Sequence, residues 1–426
     1  VTVRYVKRGL PHVRTAGDEV EQRVRELLAT ISERGEPAVR TLSEGFDRWN
    51  PSSFRLSDDD VARMTAEVPQ RLDEHIRTAA DRISRFARAQ RDCLSDVHLE
   101  IEPGYVAGHR HVPVDSVGAY VAGGRYQLIS SALMSIVPAK VAGVPRVVAM
   151  IGPEQGRGPS PASVLAATVA GADEIWSLGG VQAMACLAHG ILPGLAPVDM
   201  IVGAGNDFVA EAKRQLFGRV GIDLLAGPSE ILVVADDGAD PRTVAVDLLA
   251  QAEHGPTSPA VLVTTSADLA EAVTAALEQP LRDWPTAETA GQAWDRYGSI
   301  VVADDLVEAA RIVDHFAPEH VHVMLQDPWA FAARLHNYGG LFVGCDTTVA
   351  FGDKAAGPNH TLPTQRAARF TGGLSVLKYL KTLTYQEATP AGAARVAVAA
   401  TAIAEAEGMH GHAESSRLRL PAVSQP

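Results

Sequence analysis

The stretch EILVVADDGADPRTVAVDLLAQAEHGP (230–256) decides the fold. It opens on an aliphatic and β-branched run, EILVVAD (230–236), passes through Gly, Asp and Pro, and continues as TVAVDLLAQAE (243–253). A short apolar run bounded by turn residues fits a strand buried on both faces, and the Ala- and Leu-rich run after it fits a helix packed on that strand. The unit recurs. AVLVTTS (260–266) leads into ADLAEAVTAALEQ (267–279), and SIVVADD (299–305) leads into LVEAARIVDHF (306–316). Upstream, RVVAMIG (146–152) precedes SVLAATVAGA (163–172), and DMIVG (199–203) precedes a helix through Glu211 to Leu216. Strand, helix, strand is the signature of parallel sheets. The two clusters, about 120–225 and 230–350, predict two open α/β units, with GPEQGRGPSP (152–161) a loop inside the first.

Outside the clusters the pattern is helical. Val20, Val24, Leu27, Leu28 and Ile31 recur at helical spacing. Ser57 offers an N-cap before DDDVARMTAEV, and a long helix is expected near Gln70 to Arg91 with Leu72, Ile76, Ala80, Ile83 and Ala87 as its stripe. After Phe351 the sheet pattern stops. FGDKAAGPNHTLPT (351–364) reads as a Gly-rich loop, and Thr389 caps a helix with Pro390 at its first position that runs to Glu407.

The chain has 426 residues, 46% apolar and 21% charged, which suits two domains with substantial cores. Acids outnumber bases 51 to 38, and a net charge of −13 argues against nucleic acid or an anionic membrane as the main partner. No run approaches the roughly 20 apolar residues of a membrane span. The N-terminus VTVRYVKRGLPHVRTAGDE carries no apolar core of signal-peptide length. Cys93, Cys186 and Cys345 form no disulfide or zinc-ribbon pattern. The expectation is a cytoplasmic protein with reduced thiols.

Histidines recur beside Gly, Pro or an acid, in QAEHGP (251–256), APEH (317–320), GDKAAGPNH (352–360) and EGMHGH (407–412). Open α/β folds place ligands in loops beyond strand ends. Gln251 and His254 stand three apart and share a helix face. With Asp353 and His412 they would form a nitrogen and oxygen donor set without thiolates, as in many catalytic zinc sites. Spacing alone leaves open whether the four meet. Glu319 and His320 are adjacent, an acid and an imidazole suited to proton transfer near neutrality, though a solvated helix end reads the same way. There is no GxGxxG fingerprint. Gly203-Ala204-Gly205-Asn206 comes nearest and lacks the third glycine.

These segments, in this order, resemble the histidinol dehydrogenases. The resemblance rests on GAYVAGG (118–124), LMSIVPAKVAGV (133–144), AGADEIWSLGGVQA (170–183), GAGNDFVAEAKRQL (203–216), GIDLLAGPSEILVVAD (221–236), DLLAQAEHGP (247–256), APEH (317–320), AAGPNHTLPT (355–364) and GGLSV (372–376). AGPSE followed by QAEHG is the most specific pair. A narrower likeness, in TVAFGDKAAGPNHTLPTQRAARFTGGLSVLKYLKTLT (348–384) and GGRY (123–126), is to the sulfopropanediol dehydrogenases, which oxidise a dihydroxypropanesulfonate to sulfolactate. Lys354 stands where histidinol dehydrogenases usually carry an aromatic residue, and Arg125-Tyr126 follow glycines where those enzymes usually lack them. Ala122 and Ala204 stand where the family usually has proline, which leaves the cofactor side with more backbone freedom.

The resemblance implies zinc ligands at Gln251, His254, Asp353 and His412, and a catalytic pair at Glu319 and His320. It implies substrate contacts at Ser229, His360 and Glu407, and NAD contacts at Tyr120, Gln182 and Asn206. Lys354 joins the substrate residues as a cation for an anionic diol. The fold implied is two related open Rossmann-like α/β domains, one inserted in the other, with helical N- and C-terminal arms. The boundaries expected are 1–20 for the N-terminal arm, 21–119 with 229–370 for the zinc and catalytic domain, 120–228 for the inserted NAD-side domain, and 371–426 for the C-terminal arm. That arm is expected to reach the other subunit of a homodimer. The activity implied is zinc-dependent, NAD-linked oxidation of a small polar alcohol through a bound aldehyde to a carboxylate. Histidinol oxidation is the alternative, and a zinc-binding pseudoenzyme or a zinc hydrolase are the readings from other classes.

Overall fold

The apolar runs read above become the strands of two parallel sheets in the computed structural model, which describes residues 4–10, 17–123 and 126–421. In one sheet Ser116–Val121, Arg146–Ile151, Glu174–Ser177, Met200–Val202 and Gly221–Ile222 run parallel, with Ser116–Val121 between Arg146–Ile151 and Met200–Val202. In the other, Ile231–Ala235 lies between Ala260–Thr264 and His320–Met324, flanked by Ser299–Val302 and Gly340–Val343. Arg4–Lys7 closes that sheet as an antiparallel edge beside Ser299–Val302. The strands Ile231–Ala235, Ala260–Thr264 and Ser299–Val302 are buried along their whole length. This is why they read as unbroken apolar runs rather than alternating ones. These are two Rossmann-like α/β domains.

The N-terminal helices pack on the first sheet, not with the catalytic sheet as the expected 21–119 and 229–370 grouping has it. Val24, Leu27 and Ile31 of Asp18–Arg34 meet Trp176, Met184 and Leu187, and Ile76 and Ile83 of Gln70–Asp92 meet Leu133 and Val164. Each such buried aliphatic chain contributes roughly 1.5–3 kcal/mol. Those apolar stripes were legible, but a stripe does not name the sheet that covers it. The N-terminal arm opens on a short strand, residues 4–7, ahead of the helix Asp18–Arg34. Local signals held where they were chemical. Ser57 makes a reciprocal capping box with Asp60, and Thr389 Oγ1 accepts the Gly392 N–H ahead of the helix Pro390–Ala406.

A third, antiparallel sheet was not foreseen. Val97–Glu102, Tyr105–Pro113 and Leu380–Ala388 pair with Tyr105–Pro113 central. So the arm from residue 371 passes through a 3-10 turn, Val376–Tyr379, and this strand before its helices begin. Most of Leu380–Ala388 and all of Val97–Glu102 are exposed, so neither carries an apolar run for a sequence reading to find. Gly104, at φ +78°, turns the hairpin. The helices Pro390–Ala406 and His410–Arg417 extend from this ribbon and leave Val398, Ile403, Met409 and Leu418 exposed. Among the described residues no helix is long and apolar enough to cross a membrane.

Candidate active site

One cavity lies within the first α/β domain and another where the two domains meet. The first, of about 390 Å³, opens at the carboxyl ends of the strands Ser116–Val121, Arg146–Ile151 and Met200–Val202. Tyr120, Gln182 and Asn206 all line it, with Asp47, Phe46, Phe208 and a set of glycines. Tyr120 is buried and its hydroxyl accepts the Gly180 N–H at 3.2 Å. Burial pushes its pKa up to about 12, so it stays a neutral phenol. Asn206 caps the helix Asp207–Leu216 by accepting the Val209 N–H at 3.1 Å.

The loop carrying Ala204 and Asn206 is anchored from below. Gly203, at φ +113°, packs so closely on the Tyr120 carbonyl that a Cβ would lie 2.2 Å from that oxygen. Its N–H donates to Asp223 Oδ2 at 2.8 Å, and its carbonyl accepts from Lys213 Nζ at 2.8 Å. Lys213 and Asp223 also form a buried ion pair. Sequence reading missed both residues, since a lysine inside AEAKRQL looks like a solvated helix face. Lys213→Ala strands the Asp223 carboxylate in the interior and is expected to cost about 3–5 kcal/mol in urea unfolding. A loss below about 1 kcal/mol, the range of surface pairs, would contradict the anchoring.

The second cavity, of about 310 Å³, brings together Gln251, His254, Asp353 and Lys354, with Tyr126, Gln127 and Leu128 entering from the other domain. Arg125, singled out beside Tyr126, lies outside the described residues. Gln251 is buried near the end of the helix Pro241–Ala252, and His254 lies just beyond it in a turn, not on the helix face its spacing suggested. Thr348 caps the short helix Val349–Lys354 that bears Asp353 and donates to Asp247 Oδ1 at 3.1 Å. Asp247 also faces the buried His322 ring at 3.0 Å. It thus ties the helix of Gln251 to the helix of Asp353. Asp247 sits one turn before Gln251, so the spacing in DLLAQAEH held this signal unread.

Asp353 is the hub. His254 Nε2 lies 3.6 Å from its Oδ2 and His320 Nε2 lies 3.7 Å from its Oδ1, while its backbone carbonyl accepts from His360 Nδ1 at 2.8 Å. Burial works to raise its carboxyl, but the His254 contact and the nearby His320, His360 and Lys354 outweigh it and hold the group well below the usual carboxylate range. The three histidines share one device. His254 Nδ1 donates to the Gln251 carbonyl at 3.2 Å, His320 Nδ1 to the Glu230 carbonyl at 3.0 Å, and His360 Nδ1 to that of Asp353. A carbonyl only accepts, so each Nδ1 carries the proton and each Nε2 turns a lone pair inward. Burial lowers His320 to about 4 and also lowers His360.

Glu319 and His320 stand at the amino end of their strand, beside Glu230 at the start of Ile231–Ala235. This is the opposite pole from the one the strand-end rule favours; only the Tyr120 cavity obeys it. Glu319 accepts the Glu230 N–H at 2.9 Å and lies 3.4 Å from His320 Nδ1. Burial pushes its carboxyl well above the ordinary value, with Glu230 and Asp353 adding to the rise. Glu230, also unforeseen, holds the loop after His360 by accepting the Gln365 N–H at 2.8 Å, and burial raises it to about 7. Ser229 precedes it in the same loop and is half-buried. The remaining expected residues do not join either cavity within one chain. Glu407 and His412 are exposed on the C-terminal arm.

The residues fit a metal and a dinucleotide, on different grounds. Gln251, His254 and Asp353 line one cavity and bring an amide oxygen, an imidazole nitrogen and a carboxylate, oxygen and nitrogen donors of the kind catalytic metal sites use. A histidine that donates Nδ1–H to a carbonyl while presenting Nε2 is the usual state of a metal ligand. Among the described residues no three His, Cys, Asp or Glu side chains stand together as a metal site. A metal held here would draw on Gln251, His254 and Asp353 from this chain. The first cavity fits the dinucleotide because its glycines bring main chain to its surface: a Cβ on Gly123 would lie 2.4 Å from the Gly152 carbonyl.

A family model described as histidinol dehydrogenase matches residues 11–420. The chain is 49% identical over 419 residues to a histidinol dehydrogenase homolog of Shouchella clausii, covering 98% of each chain. It is 44% identical over 422 residues to the sulfopropanediol 3-dehydrogenase of Ruegeria pomeroyi, covering 99% of this chain and 97% of that one. The solved histidinol dehydrogenase of Elizabethkingia anophelis superposes with a TM-score of 0.90 at 29% identity, over 97% of this chain and 94% of that one. The chain is a dehydrogenase that belongs to the histidinol dehydrogenase family.

Proposed function

We propose that the chain is a zinc-dependent, NAD-linked alcohol dehydrogenase whose substrate is a small anionic diol, 2,3-dihydroxypropane-1-sulfonate or a close analogue. In this reading Gln251, His254 and Asp353 hold zinc with His412 of a second copy, and the exposed apolar residues of the C-terminal arms meet in a homodimer. When bound, the zinc supplies Lewis acidity at the alcohol oxygen and the NAD accepts hydride. His320 Nε2 takes the hydroxyl proton, for which its neutral state and fixed tautomer suit it. Glu319, with His320, takes the proton of water that adds to the aldehyde, so that a second oxidation leaves a carboxylate. Ser229, His360 and Glu407 orient the substrate's polar groups, and Tyr120, Gln182 and Asn206 hold the dinucleotide.

The observation that carries the substrate reading is the charge left open in the second cavity. Lys354 lines it with its side chain 58% exposed, 3.9 Å from Asp353 Oδ2. A second reading, histidinol oxidation, draws support from the acids lining the same cavity, Asp247, Glu253 and Asp353. Those acids are engaged: Asp247 by His322 and Thr348, Glu253 by the Thr286 hydroxyl at 2.8 Å, and Asp353 by the histidines. An anion gains a charge-assisted bond from Lys354, and the cation of histidinol is repelled. The likeness to the Ruegeria pomeroyi sulfopropanediol 3-dehydrogenase supports the same choice. Lys354→Met is expected to lower kcat/KM for the sulfonate roughly 10- to 100-fold while leaving histidinol unchanged or improved. The substrate assignment fails if histidinol is the better substrate of the wild type, or if the ratio ignores the substitution.

A further inference from the structure

Asp47 is the last residue of the helix Glu36–Asp47 and enters the dinucleotide cavity from the helical layer outside the sheet. Its one described side-chain hydrogen bond is a long one, 3.4 Å from Gln182 Nε2 to Oδ2. Burial raises its carboxyl above the ordinary aspartate value, and among the described residues no cation offsets that cost. Arg23, on the rim of the same cavity, is turned to Glu26 at 3.6 Å. A carboxylate with open acceptor sites, facing a cavity, calls for a donor. Of the groups a dinucleotide offers, hydroxyls and amides donate, whereas phosphates only accept and carry like charge.

The neighbours of Asp47 choose among those donors. Phe46 and Phe208 line the cavity and remain 52% and 39% exposed. Two open aromatic faces suit a stacked base, and the sugar on that base then falls beside the residue next to Phe46. We infer that Asp47 accepts the hydroxyl hydrogen bonds of the adenosine ribose and excludes a dinucleotide phosphorylated there. Asp47 thereby sets NAD against NADP, the task an acid performs in other dinucleotide sites. The inference rests on the cofactor reading above and adds the residue that discriminates.

The test is calorimetric titration of the zinc-loaded full chain with NAD and with NADP, which reads binding without turnover. The wild type is expected to favour NAD at least about tenfold, and Asp47→Asn to compress that preference roughly 10- to 100-fold by weakening NAD and admitting NADP. Asp47→Ser, smaller and uncharged, is the second variant. Both are expected to keep the wild-type circular dichroism, since the position is a half-exposed helix end. An unchanged preference in both variants, or equal losses for both cofactors, would overturn the role of Asp47 and leave the NAD reading standing. A wild type that binds neither nucleotide would overturn the NAD reading and this inference with it.

Discussion

Glu319→Gln is expected to slow oxidation of added aldehyde roughly 10²–10⁴-fold, the range of general acid–base help, and to slow oxidation of alcohol far less. The substitution is nearly isosteric, and an amide oxygen still accepts the Glu230 N–H that positions the side chain. What it removes is a carboxyl that exchanges a proton with water. Burial, Glu230 and Asp353 keep that carboxyl protonated far above the usual range. The sign follows: the base form grows as pH rises, so the aldehyde step gains with pH until Glu319 is ionised. His320, lowered to about 4, is already neutral across that range, so the alcohol step lacks this rise. Stopped-flow traces with aldehyde and with alcohol, each against pH, separate the two. Equal small losses in both steps, with the pH rise retained in the variant, would remove Glu319 from the role.

Mixing two inactive variants is expected to restore activity if the arms are exchanged. His254→Ala removes a nitrogen ligand on the body of one chain, and His412→Ala removes one on the arm. In a mixed dimer one site takes both defects and the other takes neither. Equal mixing and free exchange leave roughly a quarter of all sites intact, from two samples with almost none. The exposure of His412, and of Ile403 and Met409 on the same arm, motivates the experiment. No recovery after exchange has been demonstrated by labelled subunits would count against an arm-swapped site.

How much of this was legible in the sequence depended on which physical signal each residue left. Strands buried on both faces announced themselves, as at Ile231–Ala235. The ribbon Val97–Pro113 with Leu380–Ala388 did not, because main-chain pairing holds it and the side chains of its two outer strands mostly face solvent. Helix spacing placed Gln251 and His254 together, and the structure keeps them in one cavity with Asp353. Contacts between distant segments were visible only through the family likeness, as with Asp353 beside His320. Positioning residues left almost no trace. Glu230, Lys213 and Asp223 act through main-chain groups of other loops, and nothing in their local sequence marks a buried charge.

The central claim is that one alcohol is oxidised between a metal at Gln251, His254 and Asp353 and a dinucleotide beside Tyr120, Gln182 and Asn206. Its most direct measurement is the absorbance of reduced cofactor formed from NAD and dihydroxypropanesulfonate by chelator-stripped protein, before and after zinc is restored, with bound zinc counted in parallel. The account predicts almost no reduced cofactor from the stripped protein, recovery in proportion to zinc bound, and neither binding nor recovery in His254→Ala. Reduced cofactor forming at full rate without zinc, or zinc binding in full to His254→Ala, would contradict it; zinc-loaded protein that reduces no NAD with this or any small alcohol would leave a metal-binding protein or a hydrolase in its place.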